Sequence, residues 1–123
     1  MAGTQVAAAA DVSGVYINGV LTPTILIPVV ASSAGATTII AATAAKSLLV
    51  LALQLATNAP VNVKWQSHVI PTDVTGLAYY GLHGGEVLPF NQGGWFKTIA
   101  GEALDINLSG AVAVGGSLTY VLV

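Results

Sequence analysis

The clearest pattern along the chain is a period-2 alternation of apolar and polar positions near its C-terminus. Residues 104–109 read LDINLS, so that every second side chain is apolar. A strand with one buried and one solvated face gives this period, because successive side chains point to opposite faces. Residues 117–123 alternate again, but both of their faces are largely apolar, which predicts a strand covered on both sides. The glycine pairs at 84–85 and 93–94 predict tight turns, so this region is expected to be antiparallel β-structure.

The N-terminal half carries further strand signals that are separated by turn residues. Asn18-Gly19 follows an apolar run at residues 15–17, and this dipeptide predicts a β-hairpin. Pro28 lies within the β-branched residues 25–32, and proline cannot donate a hydrogen bond to a ladder. We therefore expect an edge strand or a bulge there. Ala34-Gly35 then predicts a turn into a strand at residues 37–40.

Residues 41–57, AATAAKSLLVLALQLAT, are ambiguous between helix and strand. Alanine and leucine favour a helix, and a short helix at residues 41–45 is compatible with the sequence. We predict a central strand at residues 48–57, because a strand that is covered on both faces is continuously apolar. Residues 61–68 alternate clearly, so we expect them to pair with residues 48–57 as a hairpin, with Leu53 and Leu55 facing Val61 and Val63. About eight strands with regular turn signals predict an all-β domain, a β-sandwich or a small barrel.

The composition is unusual for a single domain in water. Of the 123 residues 54% are hydrophobic and only 7% are charged, whereas about 25% charged residues is usual. A surface with so little charge is expected to be hidden in part against partners. The net charge of −2 offers no basic patch, so we expect no nucleic-acid partner. The absence of cysteine excludes disulfides, zinc thiolate sites and a cysteine nucleophile.

The two ends of the N-terminal half differ in character. Residues 1–12 are rich in alanine and show no period, so we predict a flexible N-terminal arm there and a β-sandwich domain over residues 13–123.

Residues 39–56 are the best candidate for a membrane span. Polar side chains interrupt this run, which is also shorter than the ~20 apolar residues of a spanning helix. We therefore expect no membrane partner.

Few residues suggest chemistry. His68, His83 and Glu86 do not match the spacing of a known metal site, so neither a metal nor another cofactor is expected. Glu102 and Asp105 are three residues apart, which on a strand means opposite faces, so we interpret them as ordinary surface carboxylates. The chain contains neither a G-x-S-x-G elbow nor a phosphate-binding loop. We predict that the protein is not an enzyme and has no catalytic residues.

The aromatic residues are the remaining candidates for a functional surface. Trp65 alternates with valines and is expected in the core. Trp95 and Phe96 are adjacent on a predicted strand, so one of them should point away from the core. In a charge-poor protein an exposed aromatic ring favours a subunit interface, and a sugar-stacking platform is the alternative. The candidate residues for a subunit or capsid interface are Trp95, Phe96, Tyr79, Tyr80, Val6 and Val12.

The C-terminal part also carries a resemblance to a known family. The order G-G-x-V-L-P-x-N-x-x-G-W-F-x-T, then G-E-A-L-x-I-x-L-S, then V-G-G-x-L-x-Y-V resembles small decoration (cement) proteins on the heads of tailed bacteriophages. The matching residues are 84–91, 94–98, 101–109 and 114–121, and the stretch that contains them covers about a third of the chain. The resemblance implies a jelly-roll-like β-sandwich that assembles as a homo-oligomer, frequently a trimer, on the outer surface of the virion, where its partner is the major capsid protein.

Two classes of function follow from the sequence. The first is a structural virion protein that decorates and stabilises a bacteriophage capsid as a homo-oligomer. The second is a carbohydrate-binding or host-attachment module of a phage particle, in which loop aromatics such as Trp95, Tyr79 and Tyr80 contact a glycan.

Overall fold

The computed structural model describes residues 14–123, and these residues form twelve β-strands and no α-helix. The strands are β1 (Gly14–Ile17), β2 (Val20–Pro23), β3 (Ile25–Ala31), β4 (Gly35–Ile40), β5 (Leu48–Thr57), β6 (Val61–Ser67), β7 (Thr72–Asp73), β8 (Ala78–Tyr80), β9 (Gly85–Leu88), β10 (Phe96–Lys97), β11 (Leu104–Leu108) and β12 (Val114–Leu122). The predicted strands at residues 48–57 and 104–109 are confirmed.

Two five-stranded antiparallel sheets pack against each other, as expected for a β-sandwich. The first sheet has the order β10-β5-β12-β3, and β9 also pairs with β5. The second sheet has the order β4-β11-β6-β7, and β8 also pairs with β6. Alternate side chains of both sheets point into one shared core. The most deeply buried members include Leu48, Val50, Leu118, Val63, Leu104 and Ile106.

The number of strands exceeds the predicted eight because several strands are short. Each large sheet ends in two short strands that pair with different parts of the same neighbour: β9 and β10 on β5, and β7 and β8 on β6. Pro89 and a glycine pair lie between β9 and β10, and Gly76 lies between β7 and β8. These residues interrupt the ladder, since proline lacks the N–H group and glycine favours turns. We call these two interrupted margins the split edges.

A bulge in β5 explains why residues 41–57 are ambiguous in the sequence. Thr119 of β12 pairs with Ala52, and the next residue, Tyr120, pairs with Val50, so that Leu51 is an extra residue in β5. A bulge shifts the alternation of side chains by one residue. Core-facing leucines and valines therefore follow one phase before Leu51 and the other phase after it. No helix forms at residues 41–45, which lie in a connection that contains a turn.

The predicted hairpin between β5 and β6 is wrong. β5 belongs to the first sheet and β6 to the second, so residues 58–60 carry the chain from one sheet to the other. Pro60 has no N–H group to continue a ladder, and the N–H of Asn58 donates to the carbonyl of Ala113 instead. Leu53 and Val63 do approach each other, but across the core between the sheets.

The N-terminal strands form a hairpin on the outside of the first sheet. Asn18 and Gly19 have φ angles of 52° and 80°, the left-handed conformation that a two-residue hairpin turn requires. The predicted hairpin is therefore confirmed. Val15 packs against Leu51 and Val121 in a second, smaller apolar cluster. This contact uses the side of β5 that faces away from the main core.

Two further predictions can be compared with the sheets. β3 lies at the edge of the first sheet, as Pro28 predicts. The apolar run at residues 39–56 is divided between the end of β4, a connection and β5. Within residues 14–123 there is no helix that is long and apolar enough to cross a bilayer.

Candidate functional site

A cleft opens between the two split edges of the sandwich. β9 pairs with residues 53–56 of β5 and β10 with residues 49–50, while β7 and β8 bind opposite ends of β6. Between these margins the two sheets enclose a cavity of about 320 Å³. Its aromatic and charged lining consists of Trp65, Tyr80, Glu86, Trp95 and Phe96. We call it the aromatic cleft.

The aromatic rings lie at different depths in the cleft. Trp65 is 3% exposed, which confirms its predicted place in the core, and its ring stacks on that of Phe96 with a centroid distance of 5.8 Å. Trp95 is 43% exposed, and its indole N–H donates to the carbonyl of Pro89 at 2.8 Å. The prediction that the two rings point to opposite faces is wrong, because Trp95 precedes β10 and both rings line the cleft, but Trp95 does leave the core as expected. Trp95 is thus held at the mouth and Phe96 further inside.

Tyr80 and Glu86 form the polar part of the cleft. The Tyr80 hydroxyl donates to Oε1 of Glu86 at 2.5 Å. Burial, together with the neighbouring carboxylate, raises the pKa of Tyr80 well above its usual value. Among residues 14–123, neither the Lys64–Asp73 ion pair nor the contact between His68 and Asp105 involves Glu86. The cleft therefore contains one carboxylate that no cation of the described chain neutralises.

The structure brings together three of the predicted interface residues and separates the others. Trp95, Phe96 and Tyr80 line the aromatic cleft. Tyr79 is 76% exposed and points to the opposite side of β8, away from the cleft. Val6 and Val12 lie outside the described residues. Their assignment to a subunit or capsid interface stays a prediction.

The sequence analysis missed Glu86 as a cleft residue. In β9 the partly buried positions alternate with the exposed ones, which gives Glu86 and Leu88 the same inward face. This period-2 relation to Leu88 was the available signal. The partners of Glu86 were not visible, because Tyr80 and Trp65 reach the cleft from the second sheet.

A second candidate surface is the part of the first sheet's outer face that the hairpin leaves open. Leu26, Val30 and Val87 are exposed there. The register aligns three cross-strand rows without any charged side chain. The rows are Leu26-Thr119-Ala52, Pro28-Ser117-Gln54-Val87 and Val30-Gly115-Ala56. We call this surface the uncharged face.

The outer face of the second sheet is polar and internally bonded. Asp73 accepts hydrogen bonds from Gln66 at 2.9 Å and from Lys64, with which it also forms an ion pair at 3.2 Å. The Gln66 amide and then Lys64 lower the pKa of Asp73. The side-chain amide of Asn107 on β11 donates to Oε1 of Gln66 at 3.1 Å. We call this surface the polar face.

Asp105 also belongs to the polar face, and the prediction that it is an ordinary surface carboxylate is wrong. It is only 4% exposed and accepts hydrogen bonds from Thr38 at 2.8 Å and from His68 Nδ1 at 2.7 Å. β11 is a central strand, so side chains of β4 and β6 cover Asp105 from both sides. Glu102 precedes β11 and accepts from Ser67 Oγ at 2.7 Å.

The histidines lie apart from one another. His68 is paired with Asp105, whereas His83 is exposed in the turn between β8 and β9. Among residues 14–123 no three histidine or carboxylate side chains come close enough to share a metal ion. Comparisons of the chain with protein-family models, curated proteins and solved structures found no match.

Proposed function

We propose that this protein is a structural virion protein that decorates the outer surface of a bacteriophage capsid. In this proposal it acts as a homo-oligomer, a trimer by the family resemblance, bound to the major capsid protein, and it has no catalytic role and needs no cofactor. The observation that carries the self-association is the contrast between the uncharged face and the polar face. The phage assignment rests on the resemblance of residues 84–121.

The contrast between the two faces favours burial of the uncharged one against another copy of the chain. Three strands, β3, β12 and β5, contribute no charged side chain to it. Bringing such a surface out of water incurs no ionic desolvation penalty. Obligate interfaces are of this kind and resemble a domain core cut in half. The hydrogen-bonded side chains of the polar face are already satisfied and suit a face in contact with solvent.

The order of the strands supports the jelly-roll part of the proposal. When each split edge is taken as one strand position, each large sheet has four positions. Consecutive strands β3, β4, β5 and β6 alternate between the two sheets. Later in the chain, β11 lies between β4 and β6 in the second sheet, and β12 lies between β3 and β5 in the first. Alternation of this kind is expected of two interlocked Greek keys. Jelly rolls of this type are common in viral capsid proteins.

A matched pair of substitutions tests the self-association. Val30 is 73% exposed on the uncharged face, and Val69 is 65% exposed beyond the end of β6. We expect Val30→Lys to raise the dissociation constant of the oligomer at least tenfold. Each subunit would then bring a lysine to the interface, where the charges repel one another or lose their hydration. Val69→Lys should leave the assembly unchanged. Analytical ultracentrifugation at micromolar concentration measures both, and a monomeric wild type contradicts the proposal.

The capsid contact is tested separately with undecorated phage heads. The wild-type oligomer is expected to co-sediment with the heads and to raise their resistance to heat or chelators. If the oligomer does not co-sediment with the heads even at saturating concentration, the decoration role is rejected, whereas the proposed self-association still stands.

The second candidate is a carbohydrate-binding or host-attachment module of a phage particle. The exposed rings of Trp95 and Tyr79 favour it, because sugars stack on exposed aromatic faces. Glycan-array binding that disappears in Trp95→Ala, together with failure to bind heads, supports this alternative over decoration.

A further inference from the structure

We infer that the aromatic cleft binds a cationic ammonium group, either the end of a lysine side chain or a methylated amine. The inference does not depend on the proposed virion role. It starts from the lining of the cleft, in which Trp65, Trp95 and Phe96 accompany a single carboxylate, Glu86. Aromatic faces attract cations through their quadrupoles, and tryptophan does so most strongly.

The charge of the cleft is the first argument. Glu86 is partly buried, and its hydrogen-bond partner in the described chain is the neutral hydroxyl of Tyr80. Of the three lysines of the chain, Lys64 pairs with Asp73, and neither Lys46 nor Lys97 forms an ion pair with Glu86. A carboxylate that is partly withdrawn from water without a counter-charge creates a negative potential in a site of low polarity. This negative potential favours the binding of a cation.

The hydrogen-bonding capacity of the cleft is the second argument. Three of the four side-chain donors at its wall are already engaged within the protein: the Tyr80 hydroxyl on Glu86, the Trp95 indole on Pro89 and the Thr75 hydroxyl on the Gly76 carbonyl. The fourth is the indole N–H of Trp65, a residue that is 3% exposed. A sugar presents many hydroxyl groups that both donate and accept. An ammonium group only donates or, when fully methylated, only contacts ring faces and charge. The inventory therefore favours the cation over the sugar.

The size of the cleft is the third argument. Its volume of about 320 Å³ is at the lower limit for small-ligand sites. A single ammonium head with a short alkyl stem fits such a volume, and the partly exposed Trp95 leaves the mouth open to the stem. The two sources of this chemistry, a lysine side chain and a quaternary amine, differ in whether the nitrogen can donate to Glu86.

The two tryptophans of the chain both line the cleft, so intrinsic fluorescence reports on its occupation. We would titrate the wild-type protein with n-butylammonium, choline, 3,3-dimethylbutan-1-ol and methyl glucoside. The neutral alcohol has the shape of choline without its charge. We expect a saturable change with a dissociation constant on the order of 1 mM for at least one cation, and at least tenfold weaker binding of the alcohol.

Variants then assign the effect to Glu86. Glu86→Gln keeps the size and the acceptor for Tyr80 but removes the charge, and it should weaken cation binding at least tenfold. Glu102→Gln is the matched control outside the cleft and should bind as the wild type does. Circular dichroism checks that both variants are folded. The relative affinity for n-butylammonium and choline identifies the lysine-like or the quaternary source.

Three outcomes of the wild-type titrations overturn the inference. They are equal binding of choline and its neutral isostere, tighter binding of methyl glucoside than of either cation, and absence of any saturable change up to 100-fold the expected constant. Unchanged cation binding by a folded Glu86→Gln variant also contradicts it.

Discussion

Tyr80 shows how one residue links the stability of the fold to its candidate site. Its ring reaches the core from β8, and its hydroxyl donates to Glu86 on the opposite sheet. The hydrogen bond and the ring packing both require the neutral phenol, since ionisation places two negative charges side by side. Tyr80 therefore joins the two split edges only in its protonated form.

The raised pKa of Tyr80 predicts a loss of stability at alkaline pH. In the unfolded chain the phenol ionises near its ordinary value of 10, whereas in the folded protein it stays protonated to higher pH. The stabilisation is therefore complete below about pH 10 and decreases as the pH rises above it. We expect the Tm of the wild type to fall by roughly 2–5 °C more than that of Tyr80→Phe between pH 9 and 11.5. Calorimetry of both proteins measures the difference, and parallel curves contradict the prediction.

Asp105 is a second single residue on which we expect the stability of the fold to depend. It is buried and accepts from Thr38 and His68, so Asp105→Asn replaces a charged acceptor that is bonded on both oxygens by an amide with one acceptor. We expect a loss of about 1–3 kcal/mol in the free energy of unfolding. Urea denaturation at pH 7 measures it.

Asp73→Asn provides the control, because Asp73 is exposed and its bonds to Gln66 and Lys64 are open to solvent. It should leave the urea midpoint unchanged. An Asp105→Asn midpoint equal to that of Asp73→Asn would show that the buried carboxylate contributes nothing to the fold.

At the scale of the element, β12 depends on the absence of a side chain at one position. A Cβ atom at Gly116 overlaps the carbonyl oxygen of Gln54 on β5. The two strands must separate or shift to relieve that contact, and overpacking of this kind costs about 1–3 kcal/mol. We therefore expect Gly116→Ala to lower the free energy of unfolding by at least about 2 kcal/mol in urea titrations.

Gly115→Ala is the matched control for that prediction. A Cβ atom there lies 3.8 Å from the Val29 carbonyl oxygen, an ordinary contact. Its effect should be within about 0.5 kcal/mol of zero. Equal destabilisation by both alanines is the result that excludes close strand packing at Gly116 as the cause.

The elements that the sequence predicted well are those with a local signal. Asn18-Gly19 specifies its own turn, Pro28 excludes a central strand, and residues 104–109 alternate over their whole length. The pairing of β5 with β12 rather than β6 joins segments about 60 residues apart and has no local signal. The bulge at Leu51 also weakened the period-2 pattern of β5, because it changes which alternate positions are apolar.

The candidate site was predicted only in part for the same reason. Trp95 is exposed, as the sequence predicted for one of the two adjacent aromatics, but it lies outside β10, so both rings reach the same cleft. Their meeting with Tyr80 and Glu86 depends on how the two sheets are stacked. A cleft between sheets is therefore a property of the tertiary structure. The sequence shows which aromatic and charged residues are present but not which of them lie together.

At the scale of the whole molecule, the few charges are distributed unequally. The polar face holds Lys64, Asp73 and Asp105, and Glu86 lies in the aromatic cleft. The uncharged face has none. The uncharged face thus differs from the rest of the described surface in having no charged side chain to desolvate on association.

The last prediction concerns the segment that precedes the sandwich. In the described part of the chain both large sheets and the main core are built from strands β3 to β12, and we expect them to form without residues 1–10. Ordering such a segment on a partner costs on the order of 1 kcal/mol per residue of backbone entropy. In the proposed homo-oligomer, several arms would reach adjacent capsid sites, and the later contacts would offset that cost because they are intramolecular. We expect deletion of residues 1–10 to leave the oligomer intact in ultracentrifugation but to weaken binding to phage heads at least tenfold. Equal decoration by the truncated protein would place the capsid contact on the sandwich itself.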